Sequence, residues 1–198
     1  MPEPTTLRDL SGMPAAPASL SDSTLILIDC QNTYTRGVME LDGVVAALDE
    51  AARLLERARS AGIPIIHIQH DSGEGTPYDI RAEIGQIADQ VAPQGDEPVV
   101  VKAFPNSFVQ TELDDRLKAI GASNLVLAGF MTHMCVNSTA RGAFNLGYAP
   151  TVVASATATR ALPGPTGVVS SDALQTASLA AIADLFGIVV ADTGAIPD

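Results

Sequence analysis

Apolar residues fall along this chain in short continuous runs separated by amphipathic stretches, and the two patterns alternate. Residues 24–29 (TLILID) form an uninterrupted apolar run closed by a carboxylate, as in a strand buried on both faces. Residues 44–61 place Val45, Leu48, Ala52, Leu55 and Ala58 at helical spacing and stop at Gly62, a helix C-terminal signal. A second strand is predicted at 64–69 (PIIHIQ), followed by a polar, Gly-containing loop at 70–79 and a short helix or turn through 87–91. The alternation goes on with a strand at 98–102 (PVVVK), a helix at 110–120 and a strand at 124–129 (NLVLAG). A helix at 132–146, a strand at 149–154, a helix at 172–186 and a sixth strand at 188–191 complete it. Residues 1–22, rich in Pro, Ala and Ser, read as an irregular arm with a short helical turn at 6–10. Strand alternating with helix predicts an α/β fold, a parallel sheet covered by helices on both faces in three α/β/α layers. A length of 198 residues suits one domain spanning 1–198.

In sheets of this kind, function gathers where loops leave the carboxyl ends of strands. Three such ends carry reactive side chains. The first delivers Asp29, the third Lys102, and the fourth leads through GFMTHM to Cys135. An acid, an amine and a thiol brought together make a nucleophile set. Read as a helix capped by Thr132, the segment after the fourth strand places Cys135 about three residues in, where the helix dipole favours a thiolate below the usual ~8.5. Backbone N–H groups there, those of Met131 and Cys135, are placed to hold an oxyanion. Each residue also has a plainer reading: a lone Cys is often a small buried hydrophobe, Asp29 a loop or capping carboxylate, Lys102 a solvated surface group. Tyr34, His70, Phe104, Phe108 and His133 lie close in sequence to the strand ends and are candidate pocket walls for substrate binding. Cys30 reads as packing, and His67, inside the second strand, as a satisfied core histidine.

Composition narrows the function classes. The chain is 46% hydrophobic and 17% charged, with 4% aromatics and no Trp, so its core must come mainly from Ala, Val, Leu and Ile. A net charge of −12 repels nucleic-acid phosphates and anionic lipids, so neither nucleic acid nor membrane is an expected partner. No stretch approaches the ~18 apolar residues of a membrane span. With two cysteines and no basic-then-apolar N-terminal signal, free thiols and a cytoplasmic location are expected. His67, His70 and His133 form no close His-x-His or His-x₃-His pair and there is no Cys-x₂-Cys pair, so no metal is expected. No Gly-x-Gly-x-x-Gly follows a strand, so no nucleotide cofactor is expected either.

Three segments, LILIDCQNTY at 25–34, VVVKAFPNSF at 99–108 and LVLAGFMTHMCVNSTARGAFNLGY at 125–148, together resemble the isochorismatase-like cysteine hydrolase superfamily over roughly 24–191. The resemblance implies that Asp29, Lys102 and Cys135 form a catalytic triad. It also implies a cis peptide between Phe130 and Met131 and a six-stranded parallel sheet in the order 3-2-1-4-5-6. In that order Asp29 sits beside the Cys135 turn, whereas Lys102 starts two strands away, roughly 10 Å, and must lean across strand 2. The metal-binding Asp-x-His segment of nicotinamidase-type members is missing from IQHDSGEGTPYD. Cys135 disfavours the true isochorismatases, which lack the thiol. HDSGEGTPYD, GFMTHMCV and ATATRALPG are most similar to streptothricin hydrolase-type members. The function implied is cysteine-dependent hydrolysis of an amide or lactam C–N bond in a small molecule, by a homo-oligomer, dimer or tetramer. A catalytically silent α/β oligomer that binds a metabolite or partner, and an isochorismatase-like ether hydrolase, are the rival readings.

Overall fold

The computed structural model describes residues 4–198. A six-stranded parallel sheet runs through it in the order β3-β2-β1-β4-β5-β8. The strands are β1 (Ser23–Ile28), β2 (Ile65–His70), β3 (Val99–Lys102), β4 (Asn124–Phe130), β5 (Ala149–Ala158) and β8 (Ile188–Val190). Helix α1 (Leu7–Leu10) lies in the N-terminal arm; α2 (Val44–Ala61), α3 (Leu113–Ala119), α4 (Asn137–Asn145) and α5 (Ser171–Ala183) connect the strands. The predicted sixth strand is the sixth strand of the sheet, but a small antiparallel hairpin, β6 (Leu162–Gly164) with β7 (Gly167–Val169), precedes it. Alternation along each strand splits the core between two faces. Leu25, Leu27, Val126 and Ala128 pack under α2, while Ile26, Ile28, Ile68, Val100 and Leu127 pack on the side of α3, α4 and α5.

Sequence dictates the register. Helix α2 buries Val44, Leu48, Ala51, Leu55 and Ala58, and it ends where Gly62 takes a left-handed conformation, with the N–H of Ile63 bonded back to the Ala58 carbonyl. The strands β1 and β4 pair from Ser23↔Asn124 to Ile28↔Gly129. Gly129 is required at the last pair: its φ is +118°, and a Cβ there would lie 2.0 Å from the Ile28 carbonyl oxygen. That close approach brings the carboxyl ends of β1 and β4 together. The pair His70↔Lys102 closes the β2–β3 ladder, so His70 and Lys102 lie side by side on the face that also carries Ile68 and Val100.

Candidate active site

Asp29 follows β1 directly, at a left-handed φ of 50°, with its N–H bonded to the Ile68 carbonyl. A non-glycine residue in that region is uncommon and requires local support. Gln31, fully buried, supplies it: Nε2 donates to the carbonyls of His70 and Gly85, and Oε1 accepts the His70 N–H, tying the end of β1 to the end of β2. The β4 end turns through a cis Phe130–Met131 peptide into residues 132–136. The loop after β3 is pinned to α4 by the Ser107–Thr139 hydroxyl pair at 2.9 Å.

The three reactive side chains meet. Lys102 crosses the end of β2 as its register requires, and its Nζ lies 2.7 Å from Asp29 Oδ2 and 3.3 Å from Cys135 Sγ. Its third neighbour is His70 Nδ1 at 3.1 Å. An ammonium only donates, so Nδ1 is the bare nitrogen and Nε2 carries the proton it gives to Ser72 Oγ at 2.9 Å. Asp29 and Lys102 are fully buried, and Cys135 keeps 5% of its surface. Asp29 Oδ1 has no hydrogen-bond partner among the described residues.

Electrostatics follow from that burial. Loss of water raises the Asp29 carboxyl although the Lys102 ammonium pulls it down. Burial opposes the charge of Lys102, but Asp29 and the Cys135 sulfur outweigh it and the amine is raised. The Cys135 thiol is pushed up to about 12, by burial first and then by the Asp29 charge, against the pull of Lys102. This corrects the low-pKa thiolate expected from the sequence. The expected helical start is corrected as well. Residues 132–136 form a π-turn in which the Met131 carbonyl accepts the N–H of both Met134 and Val136, and the buried Thr132 hydroxyl caps nothing.

The candidate pocket walls divide. Tyr34 is buried, its ring in edge contact with Phe130 at 5.6 Å and Tyr78 at 5.8 Å. His133, half-buried, bonds Thr159 Oγ1 through Nδ1 at 2.5 Å. Phe108 stacks on Tyr148, and Phe104 is 42% exposed. His67 reaches away from the triad to Glu97, which Arg59 also holds. A surface cavity of about 760 Å³ opens on the α2 face beside Leu48, Gln69 and Val99 and contains none of the triad. Among the described residues, no three His, Cys, Asp or Glu side chains are grouped to hold a metal ion.

Two residues at this site carry no mark in the hydrophobic pattern. Tyr78 rests edge-on against His70 at 5.1 Å, and its hydroxyl, raised by burial, feels Cys135, Asp29 and Arg160. Tyr78 is the one large aromatic in the loop at 70–79, which is the signal that would have singled it out. Arg160 follows β5 by two residues and lies in the ATATRALPG segment.

Comparison with known proteins gives a consistent picture. The family model for the isochorismatase domain matches residues 23–193. The secreted isochorismatase effector Isc1 of Verticillium dahliae is 35% identical over 187 residues, covering 94% of this chain and 96% of its own. A streptothricin hydrolase of Streptomyces noursei is 32% identical over 139 residues, which is 70% of this chain and 50% of that protein. Ureidoacrylate amidohydrolases from four bacteria match at 28–31% identity. In structure, an isochorismatase from Pseudomonas putida KT2440 superposes with a TM-score of 0.94 at 38% identity, covering 98% of this chain and 99% of that one.

Proposed function

The chain belongs to the isochorismatase-domain family of hydrolases, and from that premise we propose that it cleaves an amide-type C–N bond of a small molecule through a thioester on Cys135. The observation that carries the reading is the buried contact of Lys102 Nζ with both Asp29 Oδ2 and Cys135 Sγ. Burial first, and then the Asp29 charge, push the Cys135 thiol up against the pull of Lys102. Deprotonation therefore accompanies attack: Asp29 takes the thiol proton as the sulfur bonds to the amide carbon. Backbone N–H groups of Met131 and Cys135 hold the oxyanion that forms. Asp29 then returns the proton to the leaving nitrogen, the C–N bond breaks, and an acyl-thioester is left. In the second half Asp29 removes a proton from water, the hydroxide oxygen bonds to the thioester carbon, and the sulfur leaves and is reprotonated. Lys102 keeps Asp29 ionised at the start of each cycle and offsets negative charge on sulfur.

Relatives that are named amidohydrolases support the bond class. A cytoplasmic location belongs to the same reading, supported by two free cysteines, although one relative is named a secreted effector. Among the described residues, no helix is long and apolar enough to cross a membrane.

The test is an amide panel of lactams, hydantoins, N-carbamoyl compounds and nicotinamide, assayed with the wild-type chain and with Cys135→Ala. Turnover of at least one amide, abolished by Cys135→Ala, is expected. Ether hydrolysis that survives Cys135→Ala would overturn the reading in favour of isochorismatase-type chemistry.

A further inference from the structure

Lys102 and Cys135 come from strands that do not pair. In the order β3-β2-β1-β4, three strand intervals of about 4.8 Å separate the strand of Lys102 from the one that leads to Cys135. Strand β3 is an edge strand of four residues with one neighbour, and past the pair His70↔Lys102 its last bond to that neighbour is the Asp71 N–H on the Lys102 carbonyl at 2.9 Å. Ala103, Phe104 and Pro105, which follow, are exposed. A buried ammonium that stands 3.3 Å from one sulfur is thus carried at the end of a sheet edge.

The chain is tied down again at Ser107, and the tie is to the helix that follows Cys135. Thr139 stands four residues beyond Cys135 in α4, and both Ser107 and Thr139 are fully buried. Thr139 Oγ1 accepts the Ser107 N–H at 3.1 Å and shares a second hydrogen bond with Ser107 Oγ at 2.9 Å. On the same face of α4, the Asn106 amide lies over Gly142, where a Cβ would come within 2.6 Å of Nδ2 and 2.7 Å of Oδ1. Asn106 Oδ1 already accepts the Phe108 N–H at 3.0 Å, so the amide cannot swing aside without opening that turn. With the contact of Lys102 on Cys135, these bonds close a ring: Lys102, the loop to Ser107, Thr139, and the helix back to Cys135. Hydrogen bonds fix both distance and direction, which apolar packing of the same volume does not.

We propose that Ser107 and Thr139 are positioning residues that hold Lys102 at the Cys135 sulfur, with the bare face of Gly142 letting the loop close on α4. They act through Lys102 and not on substrate. The inference rests on the Cys135-hydrolase reading for its kinetic consequence, and on the geometry alone for the place of the amine.

Thr139→Val keeps the shape of the side chain and removes both bonds, whereas Thr139→Ser keeps the hydroxyl. For whichever panel amide is hydrolysed, Thr139→Val should lower kcat about 10- to 100-fold and change KM by less than about threefold, since misplacing a reacting group by ~1 Å costs on the order of 100-fold. Thr139→Ser should return kcat to within about threefold of wild type. The place of the amine is read without substrate. The chain has two lysines, 102 and 118, so labelling lysine with ¹³C and ¹⁵N gives two side-chain resonances, with Lys118, 66% exposed, as the solvated reference. The Lys102 Cε–Nζ resonance should stand apart from that of Lys118 in wild type and in Thr139→Ser, and move toward it in Thr139→Val. Ile63→Ala, which opens the core at the opposite end of β2, should lower Tm and leave the Lys102 resonance in place. If Thr139→Val does not fold, Gly142→Ala decides in its stead, with the same two changes expected. A wild-type Lys102 resonance in the deciding variant would overturn the positioning role whatever its kcat, as would a wild-type kcat. Coincident lysine resonances in wild type, or an equal shift in Ile63→Ala, would overturn it as well. If wild type hydrolyses no panel amide, the amide reading falls and the resonance alone decides the positioning.

Discussion

Replacing Lys102 by Met removes one charge from a buried pair and leaves the other. Asp29 is fully buried and its second oxygen is already without a partner, so the variant holds a carboxylate with no counter-ion within contact. Breaking one side of a buried ion pair typically costs about 3–5 kcal/mol. Asp29 can relieve that cost by taking up a proton. Burial raises its pKa even with Lys102 beside it, and losing the ammonium raises it further. A native carboxyl titrating above its unfolded value, near ~3.9, binds more protons in the folded state, so its contribution is fully present below that value and is lost as pH rises through the folded pKa. The deficit of Lys102→Met relative to wild type should therefore be small near pH 5 and reach about 3–5 kcal/mol near pH 8. Urea unfolding followed by circular dichroism at the two pH values measures it. The double variant Asp29→Asn/Lys102→Met should regain most of the loss at pH 8, since no isolated charge remains. A loss below about 1 kcal/mol at pH 8, or one that neither varies with pH nor eases in the double variant, would refute the reasoning.

Alkylation provides a second check. Cys135 should react slowly with iodoacetamide at pH 7, with a rate midpoint above the ~8.5 of a free thiol, while Cys30, fully buried and pushed up by burial and then by the Asp29 charge, should react only on unfolding. A midpoint below ~8.5, or labelling of Cys30 first, would contradict the site's electrostatics. Acid inactivation should trace to His70, which burial and the Lys102 charge hold below the usual ~6.5 against the opposing pull of Asp29 and Asp71. Protonating it removes the acceptor at Lys102 Nζ and sets two cations 3.1 Å apart, so activity should fall as pH drops through that lowered pKa. His70→Gln, which offers an amide acceptor that does not titrate, should flatten this acid limb; an unchanged limb would remove His70 from the account.

The centre of the sheet is readable in the sequence because β1 and β4 are buried on both faces. TLILID and NLVLAG are continuous apolar runs, and the helix predicted at 44–61 and closed by Gly62 is observed from Val44 to Ala61, although Val45 of its predicted stripe is exposed and Val44 is buried instead. Asp29, Lys102 and Cys135 are legible as the residues that follow such runs. Their meeting is not, because the reach of Lys102 depends on the pairing His70↔Lys102, which no local pattern encodes. The turn at Cys135 misleads a helical reading, since a π-turn has its own spacing and begins without a capping side chain. The thiol's shift is misjudged for a related reason: the helix-end argument assumes partial exposure, and burial beside Asp29 reverses the sign. The hairpin at 162–169 is too short, and too interrupted by Pro163, Gly164 and Gly167, to show an alternation.

The central claim, covalent catalysis at Cys135, is met most directly by rapid-quench intact-mass analysis during turnover of whichever panel amide is hydrolysed, with peptide mapping of the product. An acyl adduct on the Cys135 peptide, forming and decaying at rates compatible with turnover and missing in Cys135→Ala, is the predicted result. Steady turnover with no adduct at any quench time, retained in Cys135→Ala, would contradict it.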